Sequence, residues 1–187
     1  MPVSTLDERA ALIAIDFQSA TMGIPSVDPI GPVAQNAALL AGKFRALGLP
    51  VILVNVAGVP TGRTQEPGHT GPLPEEWTIL ASELGADESD HLITKHAWDA
   101  FSGTSLNEVL EKAGTTQVFL AGITTSRGVE STARTAHSLG YHVALVTDAM
   151  TDMSLESQQN SFERIFPVLG ETGTTAEVVA LLDGRKA

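Results

Sequence analysis

Short runs of consecutive apolar residues alternate along the chain with longer stretches whose apolar residues recur at helical spacing. The apolar runs cover residues 11–15, ending at Asp16; 51–54, followed by Asn55 and Val56; 91–95, the weakest; 117–120, leading into Ala121 and Gly122; and 143–146, ending in Thr147 and Asp148. Within each run the apolar residues are consecutive rather than alternating. That is the pattern of strands buried on both faces, as in a parallel sheet covered by helices. Helices are predicted over 33–47, with Leu39, Leu40, Phe44 and Leu47 at helical spacing and Gly48 as the stop, and over 106–112, with Ser105 as cap and Gly114 as stop. Three more follow: 128–139, ended by Gly140; 154–169, capped by Ser154 or Ser157 with Pro167 near its end; and a last one from Thr174 or Thr175 through Leu182. Repeated β–α units of this kind predict an α/β fold: a doubly wound, Rossmann-like, mostly parallel sheet of about six strands with helices on both faces. No repeat, low-complexity tract or linker interrupts the pattern, so residues 1–187 read as one domain.

Residues 57–75 break the rhythm. They are rich in Gly, Pro and Thr, too long for an ordinary connection, and follow directly on a strand end. Long loops in compact domains are usually functional or disordered, and doubly wound folds bind ligands at strand ends.

Composition narrows the chemistry. The 187 residues suffice for one substantial core, and 43% hydrophobic with 18% charged residues argues against disorder. Acidic residues outnumber basic ones 22 to 11, a net charge of −11 that disfavours nucleic acid or an anionic membrane as partner. It leaves open an anionic small substrate held by a few local cations. There is no cysteine, which excludes disulfides, zinc–thiolate sites, iron–sulfur clusters and a thiol nucleophile. Residues 1–9 are polar and acidic, unlike a signal peptide, and no apolar run approaches a membrane span, so the cytoplasm is the expected location.

In an open α/β sheet the ligand lies beyond the carboxyl ends of the strands. The first strand ends in Asp16, Phe17 and Gln18; the third in Lys95; the fourth in a turn from Gly122 to Gly128 that opens a helix. Taken singly, Asp16 reads as a turn or cap residue and Lys95 as a solvated cation. Together they place a carboxylate, an ammonium and a helix start around one crevice.

Together they also resemble the isochorismatase-like (cysteine hydrolase) family over nearly the whole chain. The resemblance rests on Asp16 with Gln18, on the run TKHAWDAFSGTSL from Thr94 to Leu106, and on AGITTSRGVESTAR from Ala121 to Arg134; Gly140-Tyr141 and Thr147-Asp148-Ala149 continue it. The family's amidases use an Asp–Lys–Cys triad, with the cysteine at the start of the helix after the fourth strand. The resemblance aligns Asp16 and Lys95 with the first two members and Gly128 with the cysteine. The isochorismatases proper are similar in carrying glycine there. They hydrolyse a vinyl ether without a covalent intermediate, the aspartate serving as general acid. For this chain the resemblance therefore implies catalytic roles at Asp16, Lys95 and Gly128, and a carboxyl whose pKa is raised by burial or by an anionic substrate. It also implies a cis peptide bond at Ile123–Thr124.

Around these lie candidate substrate contacts: Gln18, Thr124, Thr125 and Arg127, the last suited to a carboxylate or equally to solvent. Arg63 is a second cationic candidate. Phe17, Trp98 and Phe101 read equally as an apolar wall or as core. A serine mechanism through Ser126 or Thr125 lacks a base, since His137 lies in the following helix and His142 starts the next strand. The metal-binding pattern of the nicotinamidase branch, an Asp-x-His after the second strand, is replaced by Asn55-Val56-Ala57, with His69 alone in the loop. No metal and no cofactor are expected. The expected partner is a small, carboxylated substrate. A homo-oligomer, dimer or tetramer, is expected, with Phe162, Ile165 and Phe166 readable as interface or as core. Two readings stay open: a non-covalent hydrolase, or a relative that keeps the fold as a binding or scaffold protein.

Overall fold

The computed structural model describes residues 2–60, 62–65 and 74–185. Strands β1 (Ala10–Ile15), β2 (Val51–Val56), β3 (His91–Lys95), β4 (Gln117–Ile123), β5 (His142–Thr151) and β6 (Glu171–Gly173) form one parallel sheet in the order β3-β2-β1-β4-β5-β6. Among the described residues the α-helices are α1 (Ile30–Ala46), α2 (Leu106–Lys112), α3 (Glu130–Ser138), α4 (Leu155–Asn160), α5 (Phe166–Leu169) and α6 (Thr175–Gly184). This is the doubly wound α/β architecture that the consecutive apolar runs predict.

The central strands show why those runs are continuous. Every residue of β1 and β4 is buried. Ala10, Leu12 and Ala14 pack with α1 and α6 on one face, where Phe44 meets Phe119 edge-on at 5.4 Å. Ala11, Ile13 and Ile15 pack with α2, α3 and α5 on the other. The edge strand β3 is exposed at His91, Leu92 and Thr94, which accounts for its weak apolar pattern. Phe166 is core, with Phe162 and Ile165 partly buried against the same cluster.

Several boundaries differ from expectation. Helix α1 begins at Ile30, three residues early; Pro32 is tolerated because the first turn needs no N–H partner there. Ser105 caps α2 without a side-chain hydrogen bond, and Thr104 Oγ1 accepts from Leu106 N at 3.2 Å instead. The helix predicted over 154–169 runs without interruption from Leu155 to Leu169, with a π-turn at Ser161–Ile165 between α4 and α5. Pro167 removes an N–H from that segment, and the helix loosens just before it. Ser154, not Ser157, is the cap, accepting from Ser157 N at 3.2 Å. Thr174 caps α6 in a reciprocal arrangement with Glu177. Strand β6, with the sequence Glu-Thr-Gly, carries no apolar signal to announce it.

Candidate active site

The sheet order creates the site. From β1 the chain turns to α1 on one face, and from β4 to α3 on the other, so the carboxyl ends of these neighbouring strands form the topological switch point at which doubly wound folds bind ligands. Close approach of the two strands depends on Gly122: a Cβ there would lie 2.5 Å from the Ile15 carbonyl oxygen. Asp16 follows β1 directly and holds a left-handed conformation, φ 58°. Its carbonyl accepts from the Gln18 amide at 3.0 Å and from the Thr21 hydroxyl, which fixes the turn.

Lys95 lies two strands away, at the end of β3. Its long side chain crosses the end of β2 to reach Asp16, with Nζ 2.8 Å from Oδ2. Lys95 Nζ also donates to the carbonyls of Ala97 and Trp98, each at 3.0 Å. Three acceptors thus match the three N–H groups of a buried ammonium only 2% exposed. Asp16 is 6% exposed, and its Oδ1 has no hydrogen-bond partner. Burial pushes the Asp16 carboxyl up to about 6; the charge and hydrogen bond of Lys95 pull it down but do not cancel the burial.

Gly128 completes the group. It sits in a π-turn, Thr125–Val129, closed by Val129 N donating to Thr124 O at 3.2 Å. The Ile123–Thr124 peptide bond is cis. A Cβ at Gly128 would lie 3.3 Å from both Asp16 Oδ2 and Ile15 Cγ2, so this position abuts the carboxylate directly. Two polar residues hold the turn. Asp152, 4% exposed, accepts from Ser126 N at 2.6 Å through Oδ2 and from Met153 N and Ser154 N through Oδ1. Thr132 donates to the Gly128 carbonyl at 2.7 Å and accepts from Ala100 N at 3.1 Å, tying the loop after Lys95 to the turn. Sequence reasoning missed both. A carboxylate two residues before a serine cap was the readable signal for Asp152; nothing local marks Thr132.

The other candidates divide by position. Trp98 is 52% exposed, and the Arg127 guanidinium stacks on its ring at 5.6 Å. Thr124 is half-buried beside Gly128, and Thr125 is fully buried with Oγ1 unpartnered. Phe17 and Phe101 lie in the cores on opposite faces of the sheet, Phe101 stacked on Tyr141. Gln18 is fully buried. Its Oε1 accepts from Val56 N at 2.6 Å, and its Nε2 donates to the carbonyls of Val56 and Trp77. With Asn55 donating to Thr78 O, it straps residues 75–80 onto the site's flank. Arg63 is exposed in the long loop; His69 and residues 66–73 lie outside the described residues. Among the described residues, no three His, Asp or Glu side chains gather as for a metal ion, and no helix is long and apolar enough to cross a membrane.

An isochorismatase domain model matches residues 10–177. The isochorismatase family protein YwoC of Bacillus subtilis, itself uncharacterised, is 38% identical over 177 residues, covering 91% of this chain and 92% of its own. A streptothricin hydrolase of Streptomyces noursei is 32% identical over 141 residues, 74% of this chain and 48% of that protein. An isochorismatase family protein from Burkholderia thailandensis superposes with a TM-score of 0.92 at 40% identity, covering 96% of this chain and 98% of that one. With the β1–β4 switch point and the buried Asp16–Lys95 pair, these likenesses place the protein: the chain belongs to the isochorismatase family of hydrolases.

Proposed function

We propose that this hydrolase works without a covalent nucleophile, with Asp16 as general acid on a vinyl ether or related bond of a small carboxylated metabolite. The observation that carries the reading is a buried carboxyl pushed up to about 6 with Oδ1 unpartnered, while Oδ2 lies against a glycine that the family resemblance aligns with the amidases' cysteine. Lys95 occupies Oδ2, so the proton belongs on Oδ1. Asp16 gives that proton to the terminal carbon of the enol ether. The resulting oxocarbenium ion is attacked by water, which returns a proton to Asp16. The hemiketal then collapses to pyruvate and the free alcohol. Lys95 orients the carboxyl and keeps it ionisable. Gly128, lacking a side chain, puts no nucleophile beside Asp16 Oδ2. Thr124 and Arg127, with the exposed Trp98, offer the polar and stacking contacts for a carboxylated substrate, while Thr125 is buried beneath the turn. Gln18, Phe17 and Phe101 support from behind.

The fully occupied Lys95 ammonium favours a second reading, a structural ion pair in a non-catalytic binding protein. Pyruvate release from isochorismate separates the two. The hydrolase reading expects turnover by the wild-type protein and a loss of about a hundredfold or more in Asp16→Ala. Equal release by both proteins contradicts the acid role. Binding of a carboxylated ligand without any turnover by the wild type favours the second reading.

A further inference from the structure

Thr132, on α3, is fully buried. Its hydroxyl donates to the Gly128 carbonyl, four residues back, at 2.7 Å. That bond by itself is ordinary, since threonines within helices commonly bond back to the preceding turn. The second bond is not local. The same oxygen accepts from Ala100 N at 3.1 Å, 32 residues away on the loop that follows β3. A hydroxyl has one proton to give and lone pairs to receive, so the two bonds fix its orientation and satisfy two buried backbone groups. Branching at Cβ leaves the side chain few χ1 positions in a helix, which holds the hydroxyl in place.

The loop after β3 is also the one that holds Lys95. The carbonyls of Ala97 and Trp98 take two of the Nζ protons, each at 3.0 Å, and Asp16 Oδ2 takes the third. Within the loop, Asp99 accepts from Phe101 N, Ser102 N and the Ser102 hydroxyl, and Thr104 donates to Ala100 O at 2.6 Å. Those bonds fold the loop on itself; the bond from Ala100 N to Thr132 fixes it against the turn. The other end of the bridge returns to Asp16. A Cβ at Gly128 would lie 3.3 Å from Oδ2, the oxygen that receives Lys95. Ammonium and turn thus converge on one carboxylate oxygen from two separate elements, and Thr132 is bonded to both elements behind it.

We infer that Thr132 is a positioning residue for the Asp16–Lys95 pair: its hydroxyl holds the loop at the spacing from the turn that puts the Lys95 ammonium on Asp16 Oδ2. The consequence for turnover rests on the acid role proposed for Asp16. Without the hydroxyl, Ala100 N and the Gly128 carbonyl lose their shared partner, and the loop carbonyls no longer hold Nζ in register with Oδ2. Lys95 is the charge that lowers the Asp16 carboxyl against its burial, so a loosened ammonium lets that carboxyl titrate higher.

The test is the Asp16 titration midpoint, followed by ¹³C NMR of the carboxyl in the full chain. In Thr132→Val, which keeps the shape and removes the hydroxyl, the midpoint should rise toward that of Lys95→Met. Added to Lys95→Met, the same substitution should move it no further. Thr132→Ser, which keeps the hydroxyl, should hold the wild-type midpoint. Thr132→Ala, which asks less of the packing, should behave as Thr132→Val and replaces it if that variant does not fold. In pyruvate release from isochorismate, kcat should fall about tenfold or more in Thr132→Val, with KM changing less, and should recover in Thr132→Ser. A midpoint that stays or falls in Thr132→Val, an equal rise in the absence of Lys95, a shift as large in Thr132→Ser, or an active enzyme whose kcat is untouched by Thr132→Val would each overturn the proposal. The midpoint is read without substrate, so a wild-type protein that releases no pyruvate sinks the acid role while the midpoints still decide the role of Thr132.

Discussion

Asp16 carries opposed influences, and their balance is measurable. Burial raises its pKa, while Lys95, 2.8 Å away, lowers it. Replacing Lys95 with Met removes both lowering contributions and leaves the burial. The Asp16 titration midpoint, followed by ¹³C NMR of the carboxyl, should therefore rise above about 6; a midpoint at or below the wild-type value contradicts the assignment of causes. The same value has a sign for stability. The folded-state pKa lies above the ordinary 3.8, so the folded protein holds this proton more tightly than the unfolded chain. Stability from this group is therefore greatest at low pH and falls as pH rises between about 4 and 6. Asp16, Lys95 and Gly128 were legible as residues because each stands at a strand end or turn in a motif-rich run. Gln18 was legible as important but not as to its role: only the structure reveals that its amide is spent on the carbonyls of Val56 and Trp77 and the amide of Val56.

At the scale of elements, the site depends on how closely β1 and β4 approach before they diverge. Gly122, with φ 154°, allows this where a side chain would strike the Ile15 backbone at 2.5 Å. Gly122→Ala should cost about 3 kcal/mol in urea unfolding, since backbone cannot swing aside as a side-chain end can. A loss under about 1 kcal/mol would mean that the strands are not held this tightly. Strands β1, β2 and β4 were readable because burial on both faces demands consecutive apolar residues. The far half of β5 was not, since its bulge carries Thr147 and Asp148, polar residues that pattern reading assigns to a loop. The π-turn between α4 and α5 was hidden for a related reason. The buried Ser161 donates to Glu130 of α3 at 2.7 Å, a long-range contact that no local spacing reports.

For the molecule as a whole, the doubly wound order brings to one place groups far apart in sequence. Asp16 comes from β1, Lys95 from the edge strand β3, and Gly128 from the turn after β4, with Asp152 and Thr132 bracing that turn. The absence of cysteine removes thiol chemistry from consideration, and the proposed function assigns the acid step to the Asp16 carboxyl. The kcat/KM profile for isochorismate hydrolysis against pH tests that most directly, because it reports the acid of the free enzyme. If protonated Asp16 is the catalyst, kcat/KM holds level below about pH 6 and falls roughly tenfold per pH unit above it. A profile that is flat through this range, or that rises with pH, would show that Asp16 is not the proton donor.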